Sequence, residues 1–378
     1  MPTRFARLFL GRPRTRQQHY DALDGLRGLA VLIVIASHLS LLGFGLLPGL
    51  RLGGIGKSGV YLFFVLSAFL LTRLLLERAP ARFADARLWA AYALRRVLRI
   101  WPLYLVVLLL SWVLTRAGVG WWHYQLDDAG VLRHLALREG QSVLWSIPVE
   151  FKFYLWLPLM AFALAWMAAR RWPLAAQAGA WVLALVIVAW LWPPAATATN
   201  DVRLGPYLAL FLCGGAAAAV DLHLGQRRSP GAVRAWGVAG LAACAAFVLT
   251  LPETWAALAG TAVDARRTHT WFVFFGVTWA ALLLSVLHGP RWLRAPFAWP
   301  PMRLLGIVSF SAYLWHMPVL FALRAAGARD WPLAGWWVLA ATVAVAMASF
   351  LLVERPWRDV RLPADVKIGR IFPWRSRT

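Results

Sequence analysis

Charge is scarce in this chain. Charged residues make up 15% of its 378 positions, against roughly 25% in typical globular proteins. Acidic residues are the rarer kind, 16 against 39 Lys and Arg, giving a net charge of +23. With 61% of the residues hydrophobic, too little polar surface remains to solvate an ordinary soluble domain. Cysteine is nearly absent: Cys213 and Cys244 both fall within apolar runs, which excludes a disulfide framework or a zinc cluster. No internal repeat is visible, and no soluble domain is expected at either end. An excess of positive charge in a soluble protein would point to nucleic acid. Here the arginines lie between long uncharged runs, the pattern of a membrane protein with one charged face, so no nucleic-acid partner is expected.

What fills the chain is apolar spans of membrane length. Only a helix satisfies its own backbone in hydrocarbon, and about 20 apolar residues cross the core. About ten such spans are predicted, near 25–47, 57–76, 100–115 (a short one), 143–168, 173–192, 204–222, 232–252, 270–288, 304–323 and 332–353. The expected fold is therefore all-α and polytopic. With the N-terminus inside, 26 Lys and Arg fall in the inner segments and 10 in the outer loops, so both termini are expected to be cytoplasmic. The first run is too long for a signal-peptide core and lacks a small-residue cleavage site, which makes it a retained span. The organisation is then a basic cytoplasmic segment over 1–20, a transmembrane domain over 21–358 and a basic cytoplasmic tail over 359–378. The longest outer loop, about 116–142, carries Trp121, Trp122, His123, Asp127, Asp128 and His134. An interfacial aromatic anchor is its favoured reading, ahead of substrate binding.

Ionisable side chains within hydrocarbon are costly and face a cavity or a partner. His38 falls about 20 Å into the first span from the inside, and His316 about 18 Å into the ninth. Glu150, near the outer end of the fourth, falls close to the same level, so three titratable groups are expected in one layer of the outer half. Lys152 is two residues from Glu150 and on another helix face, a structural counter-charge at most. Arg27 and His38 are eleven residues apart, about 1100° of helical turn, so both project from one face with about 16 Å of rise between them. That suits a long phosphate-bearing donor entering from the cytoplasm, with Arg95, Arg96 and Arg99 as further anion ligands or simply as positive-inside anchors. A histidine in hydrocarbon is kept neutral by the cost of burying its charge, and a neutral imidazole can accept a proton. A histidine satisfied by a backbone or hydroxyl partner is the plainer alternative. His316 precedes Met317 and Pro318, where a kink could open a cavity.

Several segments together resemble one family. The run Leu23-Asp24-Gly25-Leu26-Arg27-Gly28 leading to His38 resembles the opening helix of the integral-membrane acyltransferase family three, the O-antigen acetylase type, with its arginine, ten residues, then histidine. In the same order follow segments similar to the family's others: Gly59–Phe69; Arg95-Arg96-Val97-Leu98-Arg99-Ile100-Trp101-Pro102-Leu103-Tyr104; Trp145-Ser146-Ile147-Pro148-Val149-Glu150; Ser309–His316; and Glu354-Arg355-Pro356. The match runs from about 20 to 358. Two departures stand out. Ala68 replaces a usual glycine, so its methyl is expected to limit close backbone approach there and to bear on the acceptor channel's shape more than on the chemistry, and Phe310 stands where tyrosine is common, so any hydroxyl role there is lost. Unlike many relatives, the chain is expected to carry no extra-cytoplasmic esterase-like domain.

The resemblance implies transfer of an acyl group, most simply acetyl, from acyl-coenzyme A as co-substrate to a hydroxyl of a carbohydrate or glycolipid acceptor, in a bacterial cytoplasmic membrane. His38 would be the general base, or carry a transient acyl group. Glu150 would position a reacting group, and His316 would assist proton transfer or the acceptor. Arg27, with Arg95, Arg96 and Arg99, would bind the coenzyme, and Ser67, Trp145, Ser146 and Tyr313 would contact the acceptor. No metal is expected. Besides membrane lipid, no protein partner can be named. Two rival readings remain: a proton-coupled transporter or flippase of a lipid-linked sugar, against which no paired broken helices are visible in matching halves, and an acyl-binding sensor without turnover.

Overall fold

A computed structural model describes residues 9, 18–77, 83, 85–225, 229–358 and 360. The predicted basic segments 1–20 and 359–378 lie almost entirely outside the described residues, as do Arg78, Arg82, Arg227 and Arg228. Every regular element among the described residues is helical. In order they are α1 (Gln18–Leu41), α2 (Gly56–Leu76), α3 (Ala86–Arg116), α4 (Asp128–Leu135), α5 (Ser146–Ala169), α6 (Leu174–Leu191), α7 (Leu208–Leu224), α8 (Pro230–Leu249), α9 (Pro252–Ala259), α10 (Phe272–His288), α11 (Arg291–Ala298), α12 (Pro300–Ile307), α13 (Ser309–Ala325), α14 (Ala334–Ser349) and α15 (Arg355–Arg358). A π-helical turn, Phe350–Glu354, joins the last two. Eight helices are long and apolar enough to cross a membrane, and two bent pairs raise the number to as many as ten. The chain is an all-α polytopic membrane protein.

The most enclosed spans are α1, α2 and α7, whereas α6 buries only 6% of its span inside the protein. An apolar helix so little covered by protein has lipid as its natural solvent. α1 packs against α2, α11, α12 and α13, and α2 against α5, α7 and α10. Antiparallel neighbours give the bundle two ends. One carries Arg27, Arg95, Arg96, Arg99 and Arg303. The other gathers the 42–55 turn, the 117–145 segment and the loops near 200 and 269.

Three expectations change. The short third span is in fact the longest helix, 31 residues from Asp85, whose carboxylate caps it by accepting from Arg87 N at 3.0 Å. Its first turns carry four arginines, which an apolar window cannot include but which extend beyond the hydrocarbon as ordinary helix. α1 ends at Leu41, not 47, and is followed by Gly43 in the left-handed region (φ 82°). The ninth span runs through Pro318 as one continuous helix. It bends by 77° at Val308, where α12 meets α13, and a second bend of 101° separates α10 from α11.

Helices α11 and α12 lie across α1 at its glycines. A β-carbon on Gly25 would sit 1.9 Å from the Phe297 carbonyl oxygen, and one on Gly28 would sit 2.3 Å from that of Met302. No larger residue fits between these backbones, which gives the Asp24–Gly28 run a packing reason. The two bent pairs are adjacent in sequence and not in matching halves, so they do not form the repeat of a transporter.

Pro318 sits inside an unbroken α13 because its defect is repaired from outside. Proline removes the bond to the carbonyl four residues earlier. Here that acceptor is Leu314 O, which takes the Tyr124 hydroxyl at 2.9 Å. Pro158 in α5 orphans Tyr154 O in the same way, and the Tyr92 hydroxyl of α3 donates to it at 3.1 Å.

Candidate active site

His38 and His316 meet. His316 Nε2 lies 3.2 Å from His38 Nδ1, and the ring centroids are 5.1 Å apart. His38 Nδ1 is also 2.9 Å from Val34 O, and His316 Nδ1 is 2.6 Å from Tyr313 O. Carbonyl oxygens only accept, so both Nδ1 atoms carry the proton of the neutral ring. His316 Nε2 then holds a lone pair aimed at the His38 Nδ1 proton, which is shared with Val34 O. The consequence falls on the other nitrogen: His38 Nε2 is unprotonated. A proton taken up there would leave an imidazolium whose Nδ1–H already faces two acceptors. His316 is buried, while His38 is half-buried and opens on a cavity.

That cavity, about 140 Å³, is lined by Val34, Ser37, Gly56, Lys57, Ser142 and Trp145, and further by Asn200, His269 and Tyr313. It lies at the end of the bundle away from the arginines. A larger hollow of about 210 Å³ beside α6 and α10 contains no titratable side chain. Of the residues expected to contact an acceptor, Trp145 and Tyr313 line the cavity. Ser146 donates to the Tyr313 hydroxyl at 3.0 Å, and that hydroxyl donates to Val143 O at 2.5 Å, so Ser146 fixes Tyr313 rather than the cavity wall. Ser67 is elsewhere, donating to Glu150 at 2.8 Å. Ala68 does not line the cavity: fully buried, its methyl faces Gly214 of α7, where the two helices approach closely.

Glu150 joins a separate group and makes no hydrogen bond to either histidine. Its Oε1 accepts from Ser67 and, at 2.5 Å, from the Tyr154 hydroxyl. The Arg96 guanidinium stands 5.8 Å over the Tyr154 ring, which links this group to the arginine-rich end. Orientation of His38 therefore comes from His316 and Val34. Lys152 donates to Val202 O at 2.7 Å and is no counter-charge to Glu150.

The four arginines are not equivalent. Arg27 is half-buried on α1, eleven residues from His38, and no hydrogen bond or ion pair forms at its guanidinium among the described residues. Arg99 lies within electrostatic reach of Asp24 and Glu354. Arg95 and Arg96 are half-buried, each with a buried Nε atom. Glu354 accepts from Ser311 of α13, whose hydroxyl also reaches Ser349 at 3.2 Å, so the terminal Glu-Arg-Pro motif clamps the helix that carries His316.

The outer loop is no interfacial anchor. Tyr124 and His134 are fully buried, Trp122 is nearly so, and of the loop's aromatic rings only Trp121 is exposed. Docked through Tyr124, the loop puts His123 Nε2 at 2.8 Å from Ser142 Oγ, at the cavity mouth. Burial, with the nearby His38, pushes the His123 imidazole down to about 4. Ser37, Lys57, Ser142, Asn200 and His269 also escaped the sequence reading. The one signal for the loop was Pro318, whose orphaned carbonyl demands a donor. Among the described residues no group of three or more His, Cys, Asp and Glu is arranged to hold a metal ion.

The comparisons with known proteins decide what such a site belongs to. A family model described as an acyltransferase domain matches residues 20–354. The chain belongs to this family. Within the family's range, the chain is similar to the peptidoglycan O-acetyltransferase OatA of Listeria monocytogenes, 24% identical over 96% of this chain and 60% of that protein. It is also 27% identical, over 94% of this chain and 86% of the other, to BcsY of Komagataeibacter xylinus, provisionally named a membrane-bound transacylase. Nodulation protein 10 of Rhizobium leguminosarum bv. viciae is 26% identical over 80% of this chain and 82% of its own length. The chain spans about 60% of the Listeria acetyltransferase. No solved structure matches it.

Proposed function

We propose that this acyltransferase moves an acetyl group from acetyl-coenzyme A to a hydroxyl of a cell-envelope saccharide or its lipid-linked precursor, in a bacterial cytoplasmic membrane with both termini inside. The observation that carries the reading is the His38–His316 pair at the base of the cavity, with the His38 Nε2 lone pair free to take a proton. In the reaction the acceptor hydroxyl gives its proton to His38 Nε2 as its oxygen attacks the thioester carbonyl. Collapse of the tetrahedral adduct breaks the carbon–sulfur bond, and the imidazolium returns the proton to the departing thiolate. His316 steadies the imidazolium through Nδ1–H. Arg27, on the same helix face about 16 Å away, grips a phosphate of the coenzyme, with Arg95, Arg96 and Arg99 behind it. Glu150, held by Ser67 and Tyr154, positions the donor's arm between the two ends. The acetyl group and the saccharide acceptor draw support from the name of the Listeria relative.

Purified protein in nanodiscs, given labelled acetyl-coenzyme A and candidate saccharides, should label one of them. His38→Ala should lower that rate by about 100-fold or more, the scale of general-base catalysis, while the protein stays folded. Near-parental turnover in this variant would return His38 to a structural role.

A further inference from the structure

The cavity above His38 holds a cation that no carboxylate neutralises. Lys57 begins α2, half-buried, its Nζ 5.3 Å from the centre of the Trp145 ring. Among the described residues no carboxylate lies within ion-pair distance of it. The nearby Asp201 is already committed: it accepts from Arg203 N at 2.8 Å, from Arg203 Nε at 2.9 and 3.0 Å, and from Arg203 Nη2 at 2.6 Å. An ammonium kept in a cavity at a membrane-protein core costs free energy unless something negative visits it.

Two further lining residues hold uncommon backbone conformations. Ser142 and Asn200, both lining the cavity, adopt left-handed backbone at φ 51° and 60°. They are joined by Asn200 Nδ2 donating to Ser142 O at 3.3 Å, and Ser142 Oγ meets His123. The Asn200 amide, the Ser142 hydroxyl and the His269 imidazole thus line the same space as the ammonium, about 140 Å³, close to the volume of a cavity that holds one six-membered ring. Gly56 lines the same space, where a β-carbon would press on the Ser37 side chain at 3.2 Å.

We propose that this cavity is an acceptor subsite for a saccharide ring bearing an anionic group, a carboxylate or a phosphate, which the Lys57 ammonium binds while Trp145 packs on the ring and a neighbouring hydroxyl meets His38. The subsite rests on the acyl-transfer reading of His38 and names the acceptor's chemistry, which that reading leaves open.

The test compares the full chain with Lys57→Gln and Lys57→Arg in nanodiscs. Three acceptors are offered: a disaccharide containing a uronic acid, its carboxyl-reduced counterpart, and the neutral disaccharide carrying a terminal phosphate. Binding is measured without donor by calorimetry, and transfer with labelled acetyl-coenzyme A. The parent should favour one anionic acceptor over the neutral one by about tenfold or more in Kd and kcat/KM, the scale of one charge-assisted bond. Which acceptor wins distinguishes carboxylate from phosphate. In Lys57→Gln the ratio should collapse to within about twofold of one, and in Lys57→Arg it should survive. A parent that does not discriminate, or a Lys57→Gln variant that still does, overturns the subsite. Charge-selective binding that depends on Lys57, without transfer to any acceptor, would support the subsite and overturn the acyl-transfer reading instead.

Discussion

Replacing His316 tests the tautomer argument more sharply than replacing the base itself. His316→Phe removes the acceptor that stands 3.2 Å from His38 Nδ1 but leaves Val34 O at 2.9 Å, so His38 keeps its neutral tautomer and its free Nε2. What is lost is one hydrogen bond to the imidazolium that forms as the hydroxyl is deprotonated. Hydrogen bonds to charged groups contribute about 1.5–3 kcal/mol, and each 1.4 kcal/mol is tenfold. The expected fall in kcat is therefore roughly 10- to 150-fold, smaller than the upper range for losing the base. KM for the donor should change by less than about threefold, because the bond is stronger in the transition state than in the ground state. His316→Gln offers an amide oxygen to the same proton and should recover part of the loss. Steady-state transfer in nanodiscs, with folding checked by thermal unfolding, gives both constants. A kcat within twofold of the parent would refute the reasoning. So would a loss confined to KM, or a folded glutamine variant no better than phenylalanine.

Arg27→Ala should weaken coenzyme A binding by about tenfold or more and Arg27→Lys by less, since lysine keeps the charge but not the planar fork; calorimetry on the folded variants checks the order, and parental affinity in Arg27→Ala would remove the phosphate-anchor role. His123 is held near 4 in the folded protein, below the usual 6.5, so the unfolded chain binds the extra proton between those values. Its contribution to stability is complete above about pH 6.5 and is lost as pH falls toward 4. The unfolding midpoint in detergent should therefore drop from pH 7 to pH 5, and drop less in His123→Gln. Gly28→Ala forces a methyl against Met302 O and should lower the unfolding temperature by several degrees or abolish insertion; unchanged melting would mean that α12 can move aside. A reporter fused after residue 378 should be active only in a cytoplasmic format, and efficient export would reverse the assigned orientation.

The spans were legible because a hydrocarbon solvent allows few structures, and each apolar run announces itself. Helix ends were less so. The arginines of α3 ended an apolar window long before they ended the helix, and the elbow at Val308 carries no proline or glycine of its own. The convergence of His38 and His316 could be read from depth alone, since both lie near the same level on helices that happen to touch. Depth misled for Glu150, because level says nothing of which face a side chain occupies, and Ser67 with Tyr154 draws it to another group. The cavity mouth was invisible in the sequence because it is assembled from loop residues 142, 200 and 269, whose meeting depends on backbone conformations that no periodicity encodes. Ser142 and Asn200 in the left-handed region are of that kind.

Pro318 and Tyr124 never bond to each other, yet each gives the other its purpose. The proline leaves a carbonyl free in α13, and the tyrosine occupies it. An ordinary residue at 318 would reclaim that oxygen for the helix and evict the hydroxyl, whereas losing the hydroxyl would strand the oxygen in a water-poor interior. The two positions therefore share a fate, while Leu314, whose side chain is buried in the core, enters the latch only through its carbonyl. Damage from either single replacement should largely exhaust what the other can do, so the double replacement should cost far less than the two separate losses combined. The same non-additivity should bind Pro158 to Tyr92. A fold of this kind can thus couple distant sites through the backbone alone, and a map of its side-chain contacts would miss the coupling.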